Sequence, residues 1–240
     1  LQRSTAVMLK QKLSLMNEIT EPTPYLKAKG IQVHSGVYTD ETNNLTCIPA
    51  TDTEGTIWTV QYIADDGTKR FAKNSRKEGC FHVLGGLDKL ADAPVIVIAE
   101  GYATAATIKE ATELPAVVSA FDSGNLKSVT KALHEKYPHI PMMIAADDDK
   151  HLELTKDINP GKEKAMEAAK AVNGLIILPT FAPNEQSENP RKFSDFNDMA
   201  RHSRLGLDGV KRQFKSKIEK LVKKHNQPRY SKQGNVVHIA

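Results

Sequence analysis

Four acidic residues of this 240-residue chain stand where they could hold a metal ion. Glu100 directly follows the apolar run Val95 to Ala99, and Asp147, Asp148 and Asp149 directly follow Met142 to Ala146. Carboxylates gathered on one spot repel unless a cation or a shared proton neutralises them, and their hard oxygens suit magnesium or manganese. Alternation along an extended segment aims Asp147 and Asp149 one way and Asp148 the other. Each motif alone has a plain structural explanation, Glu100 as a helix cap and the aspartates as a solvated loop. Only a fold that carries both to one edge turns them into a site.

The flanking pattern supplies such a fold. Short apolar runs at 95–99, 116–119, 142–146 and 175–178 alternate with helical patterns at 102–112, 125–136 and 161–172. That alternation predicts an α/β domain whose parallel sheet is covered by helices on both faces, with all strand C-termini at one edge, where ligands bind. Ahead of it, residues 5–19 have helical spacing, a short helix from Tyr25 to Lys29 is closed by Gly30, and residues 45–72 read as antiparallel strands with turns at Thr53 to Gly55 and Asp65 to Gly67. Behind it come a Pro-, Asn-, Glu- and Ser-rich loop at 180–194 and Asp195-Phe196-Asn197-Asp198, where Asp195 is placed to cap a short helix at 196–201. An amphipathic helix follows at about 207–224, with Val210, Phe214, Ile218 and Leu221 on one face, and 225–240 read as loosely structured. The expected division is a small N-terminal α+β subdomain at 1–90, the α/β domain at 91–200, and a basic helix and tail at 201–240.

The net charge of +4 hides an uneven distribution. Residues 1–90 hold 11 Lys+Arg against 10 Asp+Glu, residues 91–200 hold 11 against 17, and residues 201–240 hold 11 against 2. An acidic centre beside a basic end suits a metal site that also handles polyanions, and it equally suits a solvated surface. Lys69, Arg70, Lys73, Arg76 and Lys77 cluster ahead of Cys80 to Gly85, and Lys162 opens a helix whose first amides favour an anion. Trp58, Tyr62 and Phe71 could stack on unpaired bases, although their alternation reads first as a sheet face or core. His82 and His151 have no Ser/His/Asp set around them. Cys47 and Cys80 lack metal-ligand spacing, so no zinc ribbon is expected. With neither a signal peptide nor an apolar run long enough to span a bilayer, the expected setting is cytoplasmic with reduced thiols. The chain opens on Leu1, as a piece of a longer protein would.

The segments Val95-Ile-Val-Ile-Ala-Glu100-Gly101-Tyr102, Ala145-Ala-Asp147-Asp-Asp149 and Lys192-Phe-Ser-Asp195-Phe-Asn-Asp198 resemble the Toprim domain of bacterial-type primases, topoisomerases and some nucleases. The nearest likeness is to the primases of conjugative plasmids and phages. It covers residues 93 to about 200, and it extends more faintly over 25–90, which resemble the small N-terminal part of a primase polymerase core. The resemblance implies that Glu100, Asp147 and Asp149 are the catalytic acids holding Mg2+ or Mn2+, with Asp195 a further acidic position. It also implies that the Lys69 to Lys77 cluster faces template and incoming nucleotide. Thr104 stands where chromosomal primases often carry another acid. The implied activity is synthesis of short RNA primers on single-stranded DNA from ribonucleoside triphosphates, in plasmid or phage replication or transfer, with a helicase or relaxase as partner. Two other readings remain: a Toprim nuclease using the same metals, and a non-enzymatic protein that accompanies single-stranded DNA through its basic end.

Overall fold

The computed structural model describes residues 1–225 and contains two five-stranded sheets. The first is an antiparallel meander of β1 (Asn17–Glu18), β2 (Tyr38–Asp40), β3 (Leu45–Thr51), β4 (Ile57–Ala64) and β5 (Lys69–Phe71). One face, through Cys47 and Val60, packs on Leu9 and Leu13 of α1 (Gln2–Ser14), while Ile48 and Ile63 on the other face join the main core. Helix α1 ends earlier than the spacing through Ile19 predicts. Asn17 and Glu18 pair with Thr39 and Tyr38 instead, and the Ile19 amide donates to the Val37 carbonyl at 2.9 Å. Sheet pairing satisfies those backbone groups as fully as a further helical turn. The next helix, α2 (Pro24–Lys29), is bounded as its sequence dictates: Thr23 caps it, proline opens it, and Gly30 closes it at φ 62°.

The second sheet contains β6 (His82–Leu84), β7 (Ile96–Ala99), β8 (Val117–Ser119), β9 (Met142–Ala145) and β10 (Leu175–Ile177), in the order β10-β9-β7-β8-β6. The four strands expected from the alternation are parallel. Strand β6 adds an antiparallel edge against β8, so the segment leading to Gly85 belongs to this sheet. Gly85 has φ 99°, and a Cβ there would stand 2.1 Å from the Pro115 carbonyl oxygen, a position only glycine can fill.

Helices cover both faces, which is why the strands read as unbroken apolar runs. Ile96 and Ile98 of β7 pack with α4 (Leu126–Lys136) and α6 (Pro160–Ala171). Val97 and Ala99 pack on the opposite face with α3 (Tyr102–Ala111), α8 (Phe196–His202) and α9 (Gly206–His225). The small side chains Ala103, Ala105 and Ala106 let α3 lie between the sheet and the two C-terminal helices. Two short helices, α5 (Lys150–Lys156) and α7 (Glu185–Glu188), occupy the loops beyond β9 and β10. No helix among the described residues is long and apolar enough to cross a membrane. The predicted loose segment at 226–240 lies outside the described residues.

Candidate active site

Glu100 follows β7 and the aspartate run follows β9, and these two strands are hydrogen-bonded neighbours running in the same direction. The chain ends of the two strands therefore carry carboxylates to one crevice. Burial and the neighbouring Asp149 push the Glu100 carboxyl up to about 7, with Asp122 and Asp195 adding to the effect and a hydrogen bond from the Ser123 amide opposing it. Asp147 lies deepest. Burial, then Asp195, Glu100 and Asp149, hold its carboxyl well above the usual range, and its Oδ1 is buried with no hydrogen-bond partner. Asp149 is drawn toward α6: its Oδ2 accepts from the Gly161 amide at 2.9 Å, and its own amide donates to Asn159 Oδ1 at 3.0 Å. Asp148 turns away from the acids and accepts from Asn159 Nδ2 at 2.7 Å and Gln186 Nε2 at 2.9 Å.

The fourth acid arrives on a helix start. Asp195 caps α8, accepting from the Asp198 amide at 2.7 Å, while Asp198 Oδ2 accepts from the Ser194 amide and hydroxyl at 3.0 Å each. This reciprocal capping fixes the angle at which the chain enters the helix. Burial and Asp198 raise the Asp195 carboxyl to about 6, against hydrogen bonds from the Asp198 and Asn197 amides and the nearby Lys29. Buried Asn197 then ties α8 to two other elements, donating to the Lys29 carbonyl at 2.8 Å and to Thr107 Oγ1 at 2.9 Å. Thr104, which stands in place of a further acid, is buried in α3. Among the described residues, no three His, Cys, Asp or Glu side chains close on a single point.

The five basic residues predicted to cluster are divided by the pleat of β5. Lys69 faces the acids: although the residue as a whole is exposed, its ammonium is desolvated enough to lower its pKa, with Lys29 adding to this and Asp195, Glu100 and Asp147 opposing it. Its Nζ also lies 5.7 Å from the ring centre of Tyr25, which is buried. Arg70 points to the opposite face, 5.9 Å from the Tyr62 ring centre on the α1 side. Lys73 is exposed and makes no ion pair among the described residues. Arg76 stacks 4.0 Å from the Trp58 ring centre and pairs with Asp52 at 3.3 Å, so both are engaged within the small sheet. Lys77 pairs with Asp122, itself one of the groups that raise Glu100. Phe71 packs edge-on against Phe121, as core. His82 is buried, hydrogen-bonded to Pro49, and its pKa is lowered to about 4 by burial.

Lys162 sits in the first turn of α6, but the anion site expected of that helix start is already engaged. Asp149 takes the Gly161 amide, and the Asn159 side chain takes the Lys162 amide at 3.3 Å. Sequence reasoning missed Lys29 and Tyr25, which line the cleft opposite Asp195. The helix-ending Lys29-Gly30 was visible, but nothing local shows that α2 abuts α8.

Strand-edge acids on a parallel α/β sheet are the layout of a Toprim domain, and residues 95–204 match the family described as Toprim domain. The chain is 45% identical over 273 aligned residues to DNA primase TraC of Escherichia coli, covering 91% of this chain and 26% of that protein. A second Escherichia coli DNA primase TraC is 43% identical, covering 94% of this chain and 19% of that protein. The chain thus spans about a quarter or less of the length of these curated relatives. Two solved structures share the fold: the primase fragment of the bacteriophage T7 primase-helicase protein (TM-score 0.54, 17% identity, 80% of this chain and 73% of that one) and a DnaG primase catalytic domain bound to ssDNA (TM-score 0.53, 11% identity, 91% and 82%). Residues 95–204 thus match the Toprim domain, and the curated relatives aligned along more than nine-tenths of this chain are named DNA primases.

Proposed function

We propose that this chain is the catalytic core of a DNA primase, joining ribonucleoside triphosphates into short RNA primers on single-stranded DNA. The observation that carries the reading is the cleft itself: Glu100, Asp147, Asp149 and Asp195, with raised pKa values at Glu100, Asp147 and Asp195 and no ion pair among the described residues, face Lys69 and Lys29 across the crevice. The donor set is all hard oxygen, and the orphaned Oδ1 of Asp147 lacks a positive partner. Both features suit a divalent cation, Mg2+ or Mn2+, held by Glu100, Asp147 and Asp149 with Asp195 beside them. When bound, such a cation supplies charge neutralisation for the triphosphate and acidifies a primer 3′-hydroxyl. The chain's own residues do the rest. Lys69 and Lys29 draw the triphosphate toward the acids by charge. Gly161 and Asn159 hold Asp149 in orientation, and the α8 cap does the same for Asp195. A helicase or relaxase that exposes single-stranded DNA is the partner this activity calls for.

The test is primer synthesis on a single-stranded template with labelled ribonucleotides. Asp147→Asn with Asp149→Asn should lower synthesis by at least about 100-fold, the loss typical when transition-state charge stabilisation is removed. Undiminished synthesis removes the acids from the mechanism. Template cleavage in the absence of nucleotides replaces the primase with a nuclease.

A further inference from the structure

Helix α9 carries seven lysines and arginines, and among the described residues none of them makes an ion pair. Elsewhere on the surface cations find carboxylates, as Lys77 finds Asp122, Lys136 finds Glu54 and Lys164 finds Glu167. Lys217, Lys220 and Lys224 follow one another at three- and four-residue spacing along one flank, beside the buried stripe of Val210, Phe214 and Leu221, and Arg212 lines a groove with Lys217 nearer the start of the helix. That flank faces β10, the edge strand of the second sheet, which pairs only with β9 and so leaves one row of backbone donors and acceptors unpaired. Between them runs a groove of about 570 Å³, lined by Ile176, Leu178, Arg212 and Lys217. A second groove of about 510 Å³, lined by Leu175 and Lys224, lies toward the far end.

The orientation of α9 is fixed at both ends. Gln213 exchanges two hydrogen bonds with the Thr180 backbone, at 3.0 and 2.8 Å, just beyond the C-terminal end of β10 and on the acidic edge of the sheet. His225 meets the His139 carbonyl at 2.9 Å, shortly before β9 begins, on the opposite edge. The helix therefore runs the height of the sheet, and Arg212 and Lys224 are about 18 Å apart along it at 1.5 Å per residue. On the other side of β10, α6 presents Glu163, Glu167 and Lys170, with Glu167 paired to Lys164, so that face lacks the run of cations found on α9.

We propose that this flank of α9, together with the open edge of β10, is a track for single-stranded nucleic acid leading away from the acidic cleft. The cations meet the phosphates, and the apolar edge of β10, where Ile176, Ile177 and Leu178 line the groove, receives the faces of unpaired bases, a combination suited to a single strand. No acid of the cleft takes part, so the track stands or falls separately from the catalytic reading.

Fluorescence anisotropy of a labelled oligodeoxythymidylate, titrated with KCl, tests it on the 240-residue chain. Removing Arg212, Lys217, Lys220 and Lys224 together by alanine substitution should weaken binding at low salt by roughly 10- to 100-fold. It should also flatten the salt slope by about 0.7 for each phosphate that is no longer neutralised. Lys211→Ala with Lys215→Ala, on the flank away from β10, should leave affinity within about twofold. If the fourfold variant does not fold, Lys217→Gln with Lys220→Gln carries the same expectation at about half the change in slope. Equal losses from both flanks would mean diffuse attraction and overturn the track, as would no loss from the β10 flank. Loss of binding to phosphatidylglycerol vesicles with oligonucleotide binding intact overturns it in favour of a lipid surface.

Discussion

Glu100 and Asp195 give the site a pH response with a definite sign. Glu100 titrates at about 7 against an ordinary 4.5, and Asp195 at about 6 against 3.8. Between the ordinary and folded values the native state binds more protons than the unfolded chain, so this stability is complete at low pH and is lost as pH rises through the folded values. In the presence of a chelator, the melting temperature should fall from about pH 5 to about pH 8, and Glu100→Gln should flatten the fall by on the order of 2 kcal/mol. Magnesium added near neutral pH should raise the melting temperature of the unsubstituted protein and have less effect on the variant. Lys69 and Arg70 give a second test, because adjacent residues on β5 point to opposite faces. Lys69→Ala should reduce primer synthesis about tenfold, equivalent to ~1.4 kcal/mol of lost transition-state stabilisation, while Arg70→Ala should stay within about twofold. The sequence showed five adjacent cations, but it could not show which of them the pleat turns toward the acids.

At the scale of elements, α6 and α8 hold the acids from outside the sheet. A Cβ on Gly161 would stand 2.7 Å from the Asp147 carbonyl oxygen and 3.0 Å from its Cβ. Gly161→Ala should therefore force the aspartate loop to shift, costing about 1–3 kcal/mol in denaturant unfolding and weakening magnesium binding measured by calorimetry. A variant with unchanged magnesium affinity would mean that this packing does not set the acids. The start of α6 near Gly161 and the capping by Asp195 were both legible, because they rest on local capping rules. The engagement of the Gly161 amide by Asp149 was not, because it depends on an approach across twelve residues that only the folded loop creates.

At the scale of the molecule, the two sheets share one core. Ile48 and Ile63 of the first pack in the same cluster as Val97 and Ala99 of the second, and β6 edges the second sheet although it precedes residue 90. Unfolding in urea should be a single transition. A piece beginning at residue 91 should bind hydrophobic dye and aggregate, since its loss of β6 exposes the β8 edge. The α/β alternation and the antiparallel meander were readable from periodicity. The edge position of β6 was not, because three residues carry too little pattern to choose a sheet. Asn197 reaches across this shared core with two hydrogen bonds that impose different demands on their partners. The one to Thr107 needs a side-chain acceptor at that depth, which serine also supplies and an apolar residue does not, so an apolar substitution there costs a buried amide one of its two donor bonds. The one to residue 29 uses the main-chain carbonyl, which every amino acid supplies. The location of residue 29 is thus held independently of its identity, and substitution there can alter what the cleft prefers while the architecture that presents it is inherited unchanged.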